Sequence, residues 1–254
     1  MPASDEDRRL RLVSFSGIDG AGKSTQIESL CARLKEAGLA VELITFWNDI
    51  AKLTRIREAA GHTLFTGDKG VGTPDTPINR RDKNVQSRLM TAVRLCLYFV
   101  DTVSLRLVMG KLAKSDADFV IFDRYIYDEL ANLPLRNPAA RFYARLMVKL
   151  SPKPDVGYLL DADPVQARAR KPEYPIEFLL ANRASYLTLN DAVGAMTIIA
   201  SMPAQDVERQ VWKHLQTLLS PAEMKKRTTE TLVDSGDPGV PARPEEPDAV
   251  PSAL

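Results

Sequence analysis

Eight consecutive residues of this 254-residue chain have the types and spacing of a phosphate-binding device: Gly17-Ile18-Asp19-Gly20-Ala21-Gly22-Lys23-Ser24, with Thr25 behind them. They satisfy G-x-x-x-x-G-K-[ST] at every required position. Glycines in such a turn let the backbone approach an anion without a Cβ in the way. The turn's N–H groups and the positive end of the helix that follows then face the phosphates. Lys23 is suited to the β- and γ-phosphates and the Ser24 hydroxyl to Mg²⁺. The pattern predicts a nucleoside triphosphate site, ATP with Mg²⁺, whose contacts are Gly17, Asp19, Gly20, Ala21, Gly22, Lys23, Ser24 and Thr25.

A second set of candidates lies far downstream. Asp123-Arg124-Tyr125 follows the apolar run Phe119-Val120-Ile121-Phe122. A carboxylate in that setting is placed like a Walker-B aspartate, so Asp123 joins Ser24 as a metal ligand. Arg124 is suited to an acceptor phosphate through paired hydrogen bonds. Asp161 and Asp163 end another apolar run, and Arg168, Arg170 and Lys171 follow, with Arg183 further on. This basic cluster reads either as a solvated helix face or as a mobile lid, one of whose arginines brings charge to the migrating phosphoryl group on closure.

The elements that must position these groups alternate. Strands are predicted at 11–16, 39–45, 119–122, 154–160 and 195–200. Helices are predicted at 23–37, 83–114, 138–150, 164–170, 175–192 and 204–219, with a shorter helical piece at 50–60. Apolar strands alternating with helices imply a parallel sheet covered on both faces. Ligands of such sheets bind at the carboxyl ends of the strands. Residues 1–9 read as a flexible leader, 10–220 as the domain, and 221–254, rich in proline and charge, as a disordered tail. The segment 61–80 holds four glycines and two prolines and reads as a long loop. In the long helix, Leu89, Val93, Cys96, Val100, Val103 and Leu107 form one apolar stripe, read either as core or as a subunit interface.

Composition narrows the class of function. The 34 Lys and Arg residues nearly balance the 33 Asp and Glu, so no overall field directs the chain to nucleic acid or to an anionic membrane. Cys31 and Cys96 are the two cysteines. Both fall within apolar helical patterns and are expected as buried thiols rather than a disulfide. The stretch Leu89 to Met109 is broken by Arg94, Asp101 and Arg106 and is unsuited to spanning a membrane. The sequence reads as a soluble, cytoplasmic protein.

Taken together, the P-loop, Asp123-Arg124-Tyr125 and Leu160-Asp161-Ala162-Asp163-Pro164 resemble the thymidylate kinase family in order and spacing, over residues 10–219. The resemblance implies a P-loop NTPase three-layer sandwich with a five-stranded parallel sheet. It implies ATP–Mg²⁺ as donor and a nucleoside monophosphate, normally dTMP, as acceptor. It also implies Asp19 near the acceptor sugar, Arg124 on the acceptor phosphate, a lid arginine, Arg168 or Arg170, as catalyst because position 20 is Gly, and a homodimer packed through helices such as 83–114.

The acceptor half departs from the family pattern. Phe46-Trp47-Asn48-Asp49 replaces an Arg-Glu-Pro-Gly-Gly-Thr type segment, Thr102 stands where an arginine is expected, and Asp128-Glu129 replaces Ser-Ser. Arg94 or Arg106 are out of register as substitutes for the missing arginine. Two other readings follow from this. One is a deoxynucleoside or other small-molecule kinase with Asp49 or Glu129 as base. The other is a non-catalytic ATP-binding module.

Overall fold

The computed structural model describes residues 9–50 and 88–219. β1 (Arg11–Ser16) starts on a half-buried arginine and continues as a fully buried run of apolar and small residues. It leads through the glycine turn into α1 (Lys23–Glu36), which ends at Ala37 before Gly38. β2 (Val41–Thr45) follows, then one π-helical turn, Phe46–Ile50. The described chain resumes in α2 (Arg88–Leu112) and enters β3 (Phe119–Asp123). Next come α3 (Ile126–Leu130), α4 (Pro138–Leu150) and β4 (Val156–Asp161). Then follow α5 (Pro164–Arg170), α6 (Ile176–Val193), β5 (Thr197–Ala200) and α7 (Ala204–Gln216).

The five strands form one sheet in the order β2-β3-β1-β4-β5, and every neighbouring pair is parallel. This is the sheet anticipated from the alternating pattern. Central strands of a parallel sheet are covered on both faces and read as unbroken apolar runs. Phe119, Val120, Ile121 and Phe122 of β3 are accordingly all fully buried. Edge strand β2 instead carries exposed Glu42 and Leu43. The helices fall into two packed groups, α1 with α7 and α2 to α6 among themselves. Right-handed crossovers set such groups on opposite faces of the sheet.

The register decides where charge collects. Phe15 of β1 and Thr45 of β2 both lie beside Asp123 of β3. Ser16 lies beside Leu159, one residue before the last apolar position of β4. The carboxyl ends of β1, β3 and β4 therefore share one rim. β1 is flanked by β3, reached after the chain has gone out to β2, and by β4 on its other side. Chain direction across the sheet reverses there, which opens a crevice for ligand.

Of the two readings of the α2 stripe, the core one does not hold: Val100, Val103 and Leu107 are 39%, 42% and 63% exposed. The buried side carries Tyr98, Asp101, Thr102 and Leu105 instead. Periodicity finds the apolar face of a helix but does not say whether the chain itself covers it. Cys96, expected buried, lies on that exposed stripe, and Cys31 is only half-buried. Arg106, considered as a stand-in for an arginine at 102, donates its Nε–H to the Leu150 carbonyl and ties α2 to the end of α4.

The helical piece 50–60 beyond Ile50, the loop 61–80, the leader 1–9 before Arg9 and the tail 221–254 lie outside the described residues. Arg9, the last residue of that leader, pairs with Asp155 at 2.7 Å. Among the described residues no helix is long and apolar enough to cross a membrane.

Candidate active site

The glycine turn has the backbone that only its sequence permits. Gly17, Gly20 and Gly22 have φ of 141°, 79° and 88°. At Gly17 an added Cβ would lie 2.7 Å from the Leu160 carbonyl oxygen, and at Gly20 one would lie 2.3 Å from that of Ala167. The loop is thus wedged between the end of β4 and the backbone of α5. At Gly22 the constraint is φ alone, since a Cβ there meets nothing within 4 Å. Gly22 is also the N-cap of α1, and no side chain caps that helix. Its leading N–H groups remain directed at the rim, which is what an anion requires.

Lys23 is buried and folds back over the turn, its Nζ donating to the Gly17 and Ile18 carbonyls at 2.9 Å each. Burial, then the nearby Arg124 guanidinium, push its pKa down to about 8, against the opposing pull of Asp19, Asp128 and Asp123. Ser24 and Thr25 are exposed at the helix start, and Asp123 is partly exposed at the end of β3. The set fits a triphosphate with Mg²⁺. The glycine turn opens onto the uncapped start of α1, and a hydroxyl, Ser24, and a carboxylate, Asp123, stand partly or fully exposed at its mouth. Mg²⁺ is commonly held by one or two protein groups together with substrate phosphates.

Arg124 is the pivot of the other half. Its φ is 68°, and it is the one non-glycine residue with positive φ among those described. That conformation costs about 1–2 kcal/mol for a side chain of this kind. Four contacts hold the turn. The Arg124 N–H donates to the Phe15 carbonyl at 3.0 Å. Its guanidinium Nη2 donates to Asp19 Oδ1 in the glycine turn. Nη1 donates to Asp128 Oδ1 at 3.2 Å, and the Tyr125 N–H donates to Asp128 Oδ2 at 2.9 Å. Burial alone would lower the arginine's pKa, but Asp128, the Tyr186 phenol, Asp19 and Asp123 outweigh it and raise the value, so Arg124 is permanently charged. Sequence reasoning placed Asp19 and Arg124 at the same rim, and the structure joins them directly.

Other candidates divide between exposed and structurally engaged. Arg168 and Arg170 are exposed on α5, one and three residues beyond the Ala167 carbonyl that faces Gly20. Asp163 is the N-cap of α5, accepting from the Val165 and Gln166 N–H groups at 2.9 and 3.0 Å. Asp161 forms a two-point ion pair with Arg183, whose Nη2 lies 2.8 Å from Oδ2. That arginine, grouped with the lid from sequence, is anchored to the end of β4 instead. Asp49 accepts from the Thr45 N–H at 2.8 Å and closes the π-turn, and Glu129 is buried.

Asp128 and Tyr186 are the partners that sequence reasoning did not assign. Asp128 lies on α3, a five-residue helix too short to give a periodic signal. Its position in the first turn of a helix was the available cue, since acidic residues favour helix N-termini. Tyr186 is 58 residues away on α6 and carries no local signal.

A parallel five-stranded sheet, a P-loop at its switch point and a fixed arginine across the rim define a nucleotide-dependent phosphotransferase of the P-loop class. Relatives narrow this. The chain is 30% identical over 207 residues to a probable thymidylate kinase of Methanobrevibacter smithii, covering 79% of this chain and 92% of that one. It is 27% identical over 218 residues to a probable thymidylate kinase of Archaeoglobus fulgidus, covering 82% and 96%. Thymidylate kinase from Candida albicans shares the fold, with a TM-score of 0.55 at 17% identity over 86% of this chain and 94% of that one. No protein-family model matches the chain. The chain belongs to the thymidylate kinase family, and it is a nucleoside monophosphate kinase.

Proposed function

We propose that the protein transfers the γ-phosphoryl group of ATP to dTMP, giving dTDP and ADP. The observation that carries this reading is the pairing of an uncapped P-loop helix with Arg124, held across the same rim at φ 68°, in a chain of this family. The acceptor's phosphate oxygen attacks the γ-phosphorus and the bond to the β-phosphate oxygen breaks. Such a transfer depends on alignment and charge neutralisation more than on a strong base.

Each part of the site has a task. The glycine-turn N–H groups and the α1 N-terminus bind the donor phosphates, and Asp19 borders the acceptor. Lys23 exchanges its loop carbonyls for phosphate oxygens. Arg124 holds the acceptor phosphate by charge-assisted hydrogen bonding from its guanidinium. Mg²⁺, held by Ser24 and Asp123, supplies neutralisation of the β- and γ-phosphate charge when bound. Because α5 leans on the glycine turn through Ala167, Arg168 and Arg170 start close to the donor phosphates and complete the charge on the migrating group. Replacing the catalytic one of the two by alanine should lower kcat by about 10³-fold or more and leave Tm unchanged, since both side chains are solvated; single-turnover rates of the two variants identify which it is.

A hydroxyl acceptor is not favoured, since Asp49 is engaged by the Thr45 N–H and Glu129 is buried. Near-neutral charge supports a small-molecule acceptor rather than nucleic acid. The apolar stripe on α2 supports a homodimer. Phe99, Val103 and Leu107 lie one position beyond the residues that face α4, and Phe142 and Leu146 lie one position before those that face α2. In parallel helices these sets share a side, which makes one apolar patch larger than isolated surface residues would give. Leu107→Glu should convert the dimer to monomer in sedimentation, with the fold retained.

The reading is tested by ADP release from ATP and Mg²⁺ over a panel of nucleoside monophosphates and nucleosides. Strong stimulation by dTMP is expected. Stimulation by nucleosides alone would transfer the protein to the hydroxyl-kinase class, and release unaffected by any acceptor would leave an ATP-binding module.

A further inference from the structure

Asp128 is 4% exposed, yet it accepts from four donors. Oδ2 takes the Ser16 hydroxyl at 2.6 Å and the Tyr125 N–H at 2.9 Å. Oδ1 takes the Tyr186 hydroxyl at 2.6 Å and Arg124 Nη1 at 3.2 Å. The donors come from the end of β1, the start of α3, the middle of α6 and the residue after β3. A buried carboxylate with this many donors is immobile, since releasing any one of them leaves a polar group unpaired. Asp19, the other partner of the guanidinium, is in the glycine turn and more open to solvent: its side chain is 18% exposed against 1% for Asp128. The two carboxylates therefore differ in kind. One is an anchor set in the core, and the other is a rim contact that a competing anion can replace.

We propose that Asp128 is a positioning residue for the acceptor phosphate. It fixes the Arg124 guanidinium through Nη1 and the backbone turn through the Tyr125 N–H, so that the Nη2 edge now on Asp19 is the edge offered to the acceptor. Tyr186 and Ser16 hold the carboxylate in its turn. The acceptor phosphate replaces Asp19 on Nη2 while Nη1 stays on Asp128. Asp128 touches neither substrate, and its effect passes entirely through Arg124. The inference rests on the proposed role of Arg124 toward a monophosphate acceptor.

A double-mutant cycle tests it, with Asp128→Asn, Arg124→Ala and the double variant assayed for dTMP-dependent ADP release. Misplacing the guanidinium should lower kcat/KM for dTMP by about 10²-fold, and KM for ATP should stay within about twofold of wild type. In the Arg124→Ala background the same Asp128→Asn change should have less than about a twofold effect, because the group it acts through is gone. Where Arg124→Ala turnover is too slow to measure, dTMP binding by calorimetry replaces kcat/KM in the cycle. Tyr186→Phe removes one donor with the charge kept, and serves if Asp128→Asn does not fold. It should weaken dTMP use by about threefold, again only when Arg124 is present. Effects that multiply in the double variant, or that fall equally on ATP and dTMP, would overturn the inference and make Asp128 a fold residue. Wild-type protein that does not respond to dTMP would overturn the proposed function and this inference together, whereas a responsive wild type with a multiplicative cycle would overturn this inference alone.

Discussion

Lys23→Ala should reduce dTMP-dependent ADP release by about 10³-fold or more, because it removes the one buried cation of the glycine turn from a site that works by charge neutralisation. The fold should survive. The lysine's ammonium is desolvated in the nucleotide-free protein, and its two hydrogen bonds end on turn carbonyls rather than on core elements. A cooperative unfolding transition close to wild type, together with loss of transfer, is the expected pair of results. The same burial makes a pH signature. With its pKa pushed down to about 8, the free enzyme loses this cation in mildly alkaline solution. kcat/KM for ATP should then fall about tenfold per pH unit above about pH 8, and Lys23→Arg should abolish that limb whatever its absolute rate. Stability moves the other way. The folded-state pKa lies below the ordinary value of 10.5, so between pH 8 and 10.5 the unfolded chain binds more protons and stability rises with pH. Relative to Lys23→Met, nucleotide-free wild type should gain on the order of 3 kcal/mol across that window in denaturant titrations.

Gly20→Ala is the second large effect, and it tests how the turn is coupled to α5. A Cβ at this position would sit 2.3 Å from the Ala167 carbonyl oxygen, on a residue already at φ 79°. Backbone has to move, since the obstacle is not a flexible side chain. A loss of about 2–4 kcal/mol in stability is expected, with kcat reduced as the Arg168 and Arg170 helix is pushed off the turn. Gly22→Ala is the control. Its φ of 88° is similarly unfavourable, but a Cβ there meets nothing. It should cost about 1–2 kcal/mol, the conformational cost alone. Equal losses at the two glycines would show that α5 does not bear on the turn.

How much of this was legible beforehand depended on the range of each interaction. The donor half is local in sequence. Residues 17–25 form one turn and one helix start, and the pattern that signals them is the structure they adopt. The parallel sheet and the shared rim also followed from unbroken apolar strands alternating with helices, whereas the strand order came only from the structure. The acceptor half is assembled from distant pieces. Arg124 was visible at a strand end, but its anchor depends on Asp128 in a one-turn helix and on Tyr186 on α6, and neither has a periodic signature. Charge was legible as composition but not as pairing. Arg183 looked like part of a lid and is the partner of Asp161, while Asp163 looked like a rim carboxylate and is a helix cap. The α2 stripe shows the same boundary. Its apolar residues were identified correctly, but whether the chain buries them itself depends on packing that no single helix encodes.

The most direct test of the central claim follows the phosphoryl group itself. Purified full-length protein is incubated with ATP labelled in the γ-phosphoryl group, Mg²⁺ and dTMP, and the products are separated. Label is expected in dTDP, in a one-to-one ratio with ADP, with loss of transfer in Lys23→Ala. Label recovered only as inorganic phosphate, or transferred to a nucleoside but not to its monophosphate, would contradict it.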